Sequence, residues 1–250
     1  MDGTYEALAG CYDAMTEDVN YPAWADFLEK LFAKTRVRTV LDLACGTGTM
    51  TYLLAARGYE MIGVDFSPEM LAVAAEKEVG AGEIPPIFLC QSMDRLDLYG
   101  TVDACICLLD SINHVTRPSA LKRALHRIWL FLEPGGIFVF DVHTPEHLAS
   151  LNGGLFLDET EDAYCVWRTE FDRRRRICTY GMDVFQREGG IWLRESEVHE
   201  EYAYGLDELT EFLQQAGFED IRLYGDKKLR KPRAGEERVF FTARKPALKP

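Results

Sequence analysis

From Arg36 onward, short apolar runs alternate with stretches of helical spacing, and few folds accommodate that alternation. A strand with one wet face alternates polar and apolar residues, whereas TVLDLA (39–44) and VDACICLL (102–109) are almost continuously apolar. Such strands belong in a parallel sheet covered on both faces by the helices that connect them.

The first half reads as strand, helix, strand, helix, strand. TVLDLA is the first strand, and TMTYLLAARG (49–58) follows at helical spacing and stops at Gly58. YEMIGVD (59–65) is the second strand. SPEMLAVAAEKEV opens with Ser67 as N-cap, Pro68 at the first helical position and Glu69 in the first turn. PIFLCQ (86–91), VDACICLL and GIFVFDVH (136–143) supply strands three to five. The helix SALKRALHRIWLFL lies between the last two and is stopped by Glu133-Pro134-Gly135-Gly136.

Two regions depart from this pattern. Ahead of the sheet, PAWADFLEKLF (22–32) is a helix, and residues 1–21 are tyrosine-rich and weakly periodic, a candidate lid. After the fifth strand, YCVWRTEF, RICTYGMDVFQ and IWLRESEVHEEYAY are rich in β-branched and aromatic residues and read as antiparallel strands. The stretch from Thr144 to Gly205 far exceeds the usual loop of about 2–6 residues, so it is an inserted element. LDELTEFLQQAGF returns to helix, and IRLYG and ERVFFTARK close a mixed sheet. The expected fold is α/β: a Rossmann-like, doubly wound, mostly parallel seven-stranded sheet with an antiparallel β insertion. Residues 1–35 would form a helical lid, 36–143 and 206–250 the nucleoside-binding domain, and 144–205 the β-rich insertion beside the acceptor pocket.

Composition narrows the function classes. With 250 residues, 47% of them hydrophobic, the chain can bury one main core. Its formal charge of -13 repels phosphate backbones, so no nucleic-acid partner is expected. The opening residues lack the basic start and apolar run of a secretion signal, and no apolar stretch approaches the roughly 18 residues that span a bilayer, so a cytoplasmic protein without a membrane partner is expected. The seven cysteines read as reduced thiols. No CxxC pair occurs, and Cys105 and Cys107 share a strand face without further ligands, so no metal site is expected. The run Arg173 to Arg176 reads as a solvated hairpin tip. The insertion leaves room for a homodimer, with no sequence signature for one.

Chemistry concentrates at Asp42-Leu43-Ala44-Cys45-Gly46-Thr47-Gly48, between a buried strand and an amphipathic helix. Glycines there let the backbone turn tightly and approach a ligand at the crevice where doubly wound sheets bind nucleosides. Asp65, closing the next strand, can accept both ribose hydroxyls. NAD and adenosylmethionine share that adenosine half. A dinucleotide fingerprint wants a third small residue where this chain has Thr51, and Asp42 suits a cationic ligand better than a pyrophosphate.

VLDLACGTG, GVDFSPEML, FLCQSM and LEPGGIFVFDV resemble the successive motifs of class I S-adenosylmethionine-dependent methyltransferases. YEALAGCYDAM and HEEYAY resemble a subgroup of small methyltransferases with a β insertion after the fifth strand, so the resemblance covers nearly the whole chain. It implies S-adenosyl-L-methionine as cofactor and methyl transfer to an O, N or S nucleophile of a small-molecule acceptor. It also implies that Ala44, Gly46 and Gly48 line the methionine and ribose side, with Asp42 at the amino end, Asp65 on the ribose and Phe66 against adenine. Family members carry an acid after the third strand; the matching position here is Ser92, flanked by Gln91 and Met93, which places Ser92 and Met93 on the adenine side. Leu108 and Leu109 would flank the cofactor, and Tyr5, Tyr12 and Tyr21 resemble lid residues.

Asp110-Ser111-Ile112-Asn113-His114 follows the fourth strand at the sheet edge where open sheets place chemistry, which makes it the acceptor-side segment. His114 and His143 are candidate general bases, each with a structural hydrogen-bonding role as its alternative. His199 reads as part of a solvated strand face, and Trp167, Phe171, Phe185 and Trp192 as a small β core. No GxSxG, HExxH or P-loop motif occurs. Two rival readings remain at this point: an NAD(P)-dependent oxidoreductase, and a non-catalytic cofactor-binding interaction module.

Overall fold

A computed structural model describes residues 8–33, 35–80, 82 and 84–248. Along the chain it contains α1 (Tyr12–Met15), α2 (Tyr21–Phe32), β1 (Thr39–Leu43), α3 (Thr49–Ala56), β2 (Glu60–Asp65), α4 (Pro68–Glu76), β3 (Ile87–Cys90) and β4 (Val102–Cys107). These are followed by α5 (Pro118–Phe131), β5 (Leu132–His143), α6 (Pro145–Ser150), β6 (Leu155–Glu159), β7 (Ala163–Asp172), β8 (Ile177–Glu188) and β9 (Ile191–Tyr202). The chain ends in α7 (Leu206–Gln215), β10 (Glu219–Gly225) and β11 (Arg238–Arg244).

Seven strands form one sheet in the order β10-β11-β5-β4-β1-β2-β3, parallel from β5 through β3, with β11 running antiparallel to β5 and to β10. Chain direction across the sheet reverses between β4 and β1, which opens a crevice above their carboxyl ends. The apolar runs reflect burial on both faces. On one, Val40, Ile106, Val139 and Phe240 pack under Trp24 and Phe27 of α2 and Leu54 of α3. On the other, Leu41, Cys105, Phe140 and Phe241 pack under Leu125 of α5 and Phe212 and Leu213 of α7. Helix starts follow the local signals: Asn20, Ser67 and Thr144 accept from the backbone N–H groups of Ala23, Met70 and His147.

A second sheet, β6-β7-β8-β9, is wholly antiparallel and makes up most of the insertion. Its inner face, with Cys165, Met182 and Val184, packs on Leu8 and Cys11 of the amino-terminal segment. That segment therefore lies between the insertion and the crevice. The insertion differs from expectation in three respects. It begins with the short helix α6 and a further strand, β6, whose residues are almost all exposed and so carry no alternation to read. Trp192 is 51% exposed on the outer face and does not belong to a small β core. His199 is only 3% exposed, because it points inward from β9, which corrects its reading as part of a solvated face. Arg173, Arg174 and Arg175 form the exposed turn, whereas Arg176 turns back to pair with Glu208 of α7. Among the described residues, no helix is long and apolar enough to cross a membrane.

Phe140 stacks between Phe138 and Phe241, each pair of ring centroids 4.8 Å apart, at the centre of the larger core. Phe140→Ala is expected to lower the unfolding free energy by about 3–5 kcal/mol in chemical denaturation. A loss below about 1 kcal/mol would show that this stack is not the packing centre.

Candidate active site

The turn after β1 is built from alternating left-handed residues: Ala44 at φ 61°, Gly46 at φ 53° and Gly48 at φ 75°. A side chain at Gly48 would meet the Phe88 ring at 3.1 Å, while the Cβ direction of Gly46 is open. Gly48 is thus packed against Phe88, and its neighbours Thr47 and Thr49 stand on the wall of the crevice. The backbone N–H groups of Ala44 and Cys45 both donate to the carbonyl of Val64, which ties the turn to the end of β2.

Asp65 stands where those strands end. One carboxylate oxygen accepts the N–H of Gly46 and the other that of Ser67, both at 2.9 Å. A carboxylate has about four lone-pair sites, so these two bonds do not exhaust its acceptor capacity. Burial raises the Asp65 pKa, and the backbone donors only partly offset it. Asp42, fully buried, accepts the Thr51 hydroxyl at 2.6 Å. Burial pushes its pKa up to about 7; the Thr51 bond opposes this shift and the Asp65 charge adds to it. Thr51 thus has a specific partner at the position where a dinucleotide fold wants a small packing residue.

These groups open on a cavity of about 770 Å³, within the size range of cofactor sites. Asp42, Ala44, Gly46 and Asp65 form one wall. Phe66, Ser92, Met93 and Leu108 line the same cavity. Tyr12, Tyr21 and Trp24 reach in from the amino-terminal side, whereas Tyr5 lies outside the described residues. Ser92 donates to Asp94, which also accepts from Arg123 at 2.8 Å. Those two bonds hold the Asp94 carboxyl below its usual range. Asp94 lines the same cavity, so an acid stands on its wall two residues beyond the Ser92 position.

After the fourth strand, Leu109 and Asp110 take positive φ angles of 55° and 52°, an unusual pair for residues with side chains. A buried network holds them. The Asp110 N–H donates to Asp141, and its carboxylate sits 2.8 Å from Arg238, which also binds Asp141. Burial alone would raise the Asp110 pKa; its contacts with His143, Arg238 and His114 outweigh that and hold the carboxyl well below its ordinary value. Buried Asn113 stitches the loop to its surroundings, donating to the carbonyls of His143 and Tyr202 and accepting the His143 N–H.

The two candidate histidines are not equivalent. His114 lines the cavity, with Nε2 3.9 Å from Asp110 and its ring edge-on to His199. His143 sits behind the wall. Arg238 can only donate, so the His143 Nε2 facing it at 2.8 Å must accept, which leaves Nδ1–H directed at Glu201, 3.2 Å away. Burial works against a charge on His143, yet Asp110 and Glu201 raise its proton affinity. A second proton would have to displace the Arg238 donor from Nε2. Both nitrogens are committed, and this geometry disfavours His143 as a base. Donor atoms of Asp110, His114 and Glu201 lie within 4.8 Å of one another, but Arg238 and His143 already face the two carboxylates.

Sequence and structure comparisons agree with this geometry. A family model described as a methyltransferase domain matches residues 40–136. YqeM of Bacillus subtilis (strain 168), named as a methyltransferase without a stated acceptor, is 32% identical over 244 residues, covering 96% of this chain and 97% of that protein. The crystal structure of an S-adenosylmethionine-dependent methyltransferase from Clostridium acetobutylicum ATCC 824 superposes with a TM-score of 0.86 at 27% identity, over 97% of this chain and 99% of that one. CalS10, an amino pentose methyltransferase from Micromonospora echinaspora solved with S-adenosylmethionine bound, shares the fold with a TM-score of 0.74 at 20% identity, over 98% and 99% of the two chains. The NAD(P)-dependent oxidoreductase reading falls on these likenesses, as does the non-catalytic one: the chain belongs to the class I S-adenosylmethionine-dependent methyltransferases.

Proposed function

We propose that the cavity holds S-adenosyl-L-methionine and that the chain passes a methyl group to a nucleophilic atom of a small molecule entering on the His114 side. The observation that carries the reading is Asp65. Both of its oxygens are positioned by backbone N–H groups at the cavity wall, with lone pairs left for a pair of ribose hydroxyls. The other residues fit the same ligand. Asp42 and Asp65 are buried carboxylates suited to a cation, the space beside Gly46 admits close approach, and the half-exposed Phe66 ring offers a face to adenine.

When bound, the cofactor supplies an electrophilic methyl on a sulfonium that is already a good leaving group. The chain's own work is therefore to align the acceptor, exclude water and accept a proton where one is lost. Tyr12, Tyr21 and Trp24 close the amino-terminal side. His114 is the proton acceptor, with Asp110 behind it, and His143 is a positioning residue held by Arg238 and Glu201. Among O, N and S nucleophiles, an amine suits this side best, because Asp110 and Glu201 lie close behind His114 and Glu200 lies on the cavity wall. The amino pentose named for CalS10 is an acceptor of that kind.

Titration calorimetry tests the cofactor assignment. Asp65→Ala should weaken adenosylmethionine binding by about 2 kcal/mol, roughly thirtyfold, and unchanged affinity would overturn the reading. Asp42 generates a pH dependence. A cation favours its ionised form, so binding must expel a proton from the fraction of carboxyl that carries one below about pH 7. Affinity should therefore rise about tenfold from pH 5.5 to 7, and Asp42→Asn should flatten that slope. With a panel of small amines and labelled methyl donor, His114→Gln should lower turnover about a hundredfold at unchanged cofactor affinity; equal rates would remove His114 from the chemistry.

A further inference from the structure

We propose that Asp13 is a positioning residue that latches the amino-terminal segment shut over the cofactor cavity and sets how fast cofactor and product leave. The inference rests on the cofactor site proposed above.

Tyr12 and Asp13 are neighbours in α1 with opposite duties. Tyr12 lines the cavity. Asp13 points to the framework, where one carboxylate oxygen accepts the hydroxyls of Thr47 at 2.5 Å and Thr49 at 3.0 Å. Its other oxygen lies 2.6 Å from the Lys77 ammonium, and Lys77 also donates to Thr49 at 2.9 Å. Thr47 belongs to the turn after β1, Thr49 opens α3, and Lys77 ends α4, so one carboxylate ties the segment to three framework positions.

The segment's other attachment is of a different kind. Leu8 and Cys11 are buried against Cys165, Met182 and Val184 of the insertion, a largely apolar contact to which Gln186 adds a weak amide–sulfur hydrogen bond to Cys11 at 3.6 Å. Opening the cavity at Tyr12 thus has to break the Asp13 cluster, while the apolar contact can act as the hinge side. The Asp13 and Lys77 side chains are 42% and 27% exposed, so water can replace each bond as it breaks, which suits a contact that must open in every turnover. Because Thr47 lines the cavity, the same carboxylate couples the state of the lid to the shape of the turn.

The test is the release of S-adenosylhomocysteine, followed in stopped flow by the fluorescence of Trp24, which lines the cavity. Asp13→Asn and Lys77→Met should each speed release about tenfold, the magnitude expected for loss of a charge-assisted bond. The double variant should be no faster than the quicker single one, because both break the same cluster. High salt should speed release from the wild type and leave the double variant unchanged. Release at the wild-type rate in Lys77→Met, or fully additive effects in the double variant, overturns the latch; the lysine variant serves this purpose even if Asp13→Asn folds poorly. Asp65→Ala separates the two claims: if it weakens binding while the latch variants release at the normal rate, the cofactor site stands and the latch alone is wrong.

Discussion

The site depends on a carboxylate that is held by backbone and not by other side chains. Parallel pairing of β1 with β2 sets Leu43 opposite Val64, so the chain leaving β1 passes directly over the end of β2. There the Val64 carbonyl collects the N–H groups of Ala44 and Cys45, and Asp65 collects those of Gly46 and Ser67. Each bond satisfies a backbone group that a left-handed turn would otherwise leave unpaired beside a buried wall. The glycines follow from this arrangement. Gly48 has to curve past Phe88, and the chain at Gly46 has to donate to Asp65 while leaving the cavity open.

Carboxylates at the crevice and behind it are compensated in two ways. Asp110 and Asp141 share Arg238, so the acceptor side carries its own counter-charge and keeps two left-handed residues in place. Among the described residues, Asp42 and Asp65 are held by hydroxyl and N–H donors and have no salt bridge to a cationic side chain, and burial raises both pKa values. In a protein interior such a pair disfavours its own ionisation until a positive ligand arrives. The asymmetry leaves uncompensated carboxylates on the side of β1 and β2 and a fixed, charge-balanced network on the side of β4 and β5.

Legibility in the sequence followed the range of the interactions. Strands buried on both faces, the glycine turn, Asp65 and the helix caps are written within a few residues of where they act, and were readable for that reason. Arg238 and Glu201 lie far along the chain from Asp110 and His143, and no spacing rule connects them. Motif position alone points to Ser92 for the acid after the third strand, while the short turn Met93–Arg95 brings Asp94 to the same wall. His199 was misjudged because its neighbours Glu197 and Glu201 are charged, yet all three alternate onto the inner face of β9, and His199 is paired there with Glu197 at 2.9 Å.

The distinction between His114 and His143 shows what only the folded chain can decide. Both follow strands that end at the crevice, and both have an imidazole able to exchange a proton. Their difference lies in what faces each ring nitrogen. A guanidinium has no acceptor, so its approach to Nε2 of His143 dictates the tautomer, and Glu201 takes up the remaining N–H. That imidazole can accept another proton only by breaking the network that supports Asp110. His114 has no comparable constraint from Arg238 and stands on the cavity wall in front of the same aspartate. The network that commits His143 thereby holds the carboxylate behind His114, so removing Arg238 would disturb both histidines although it touches only one.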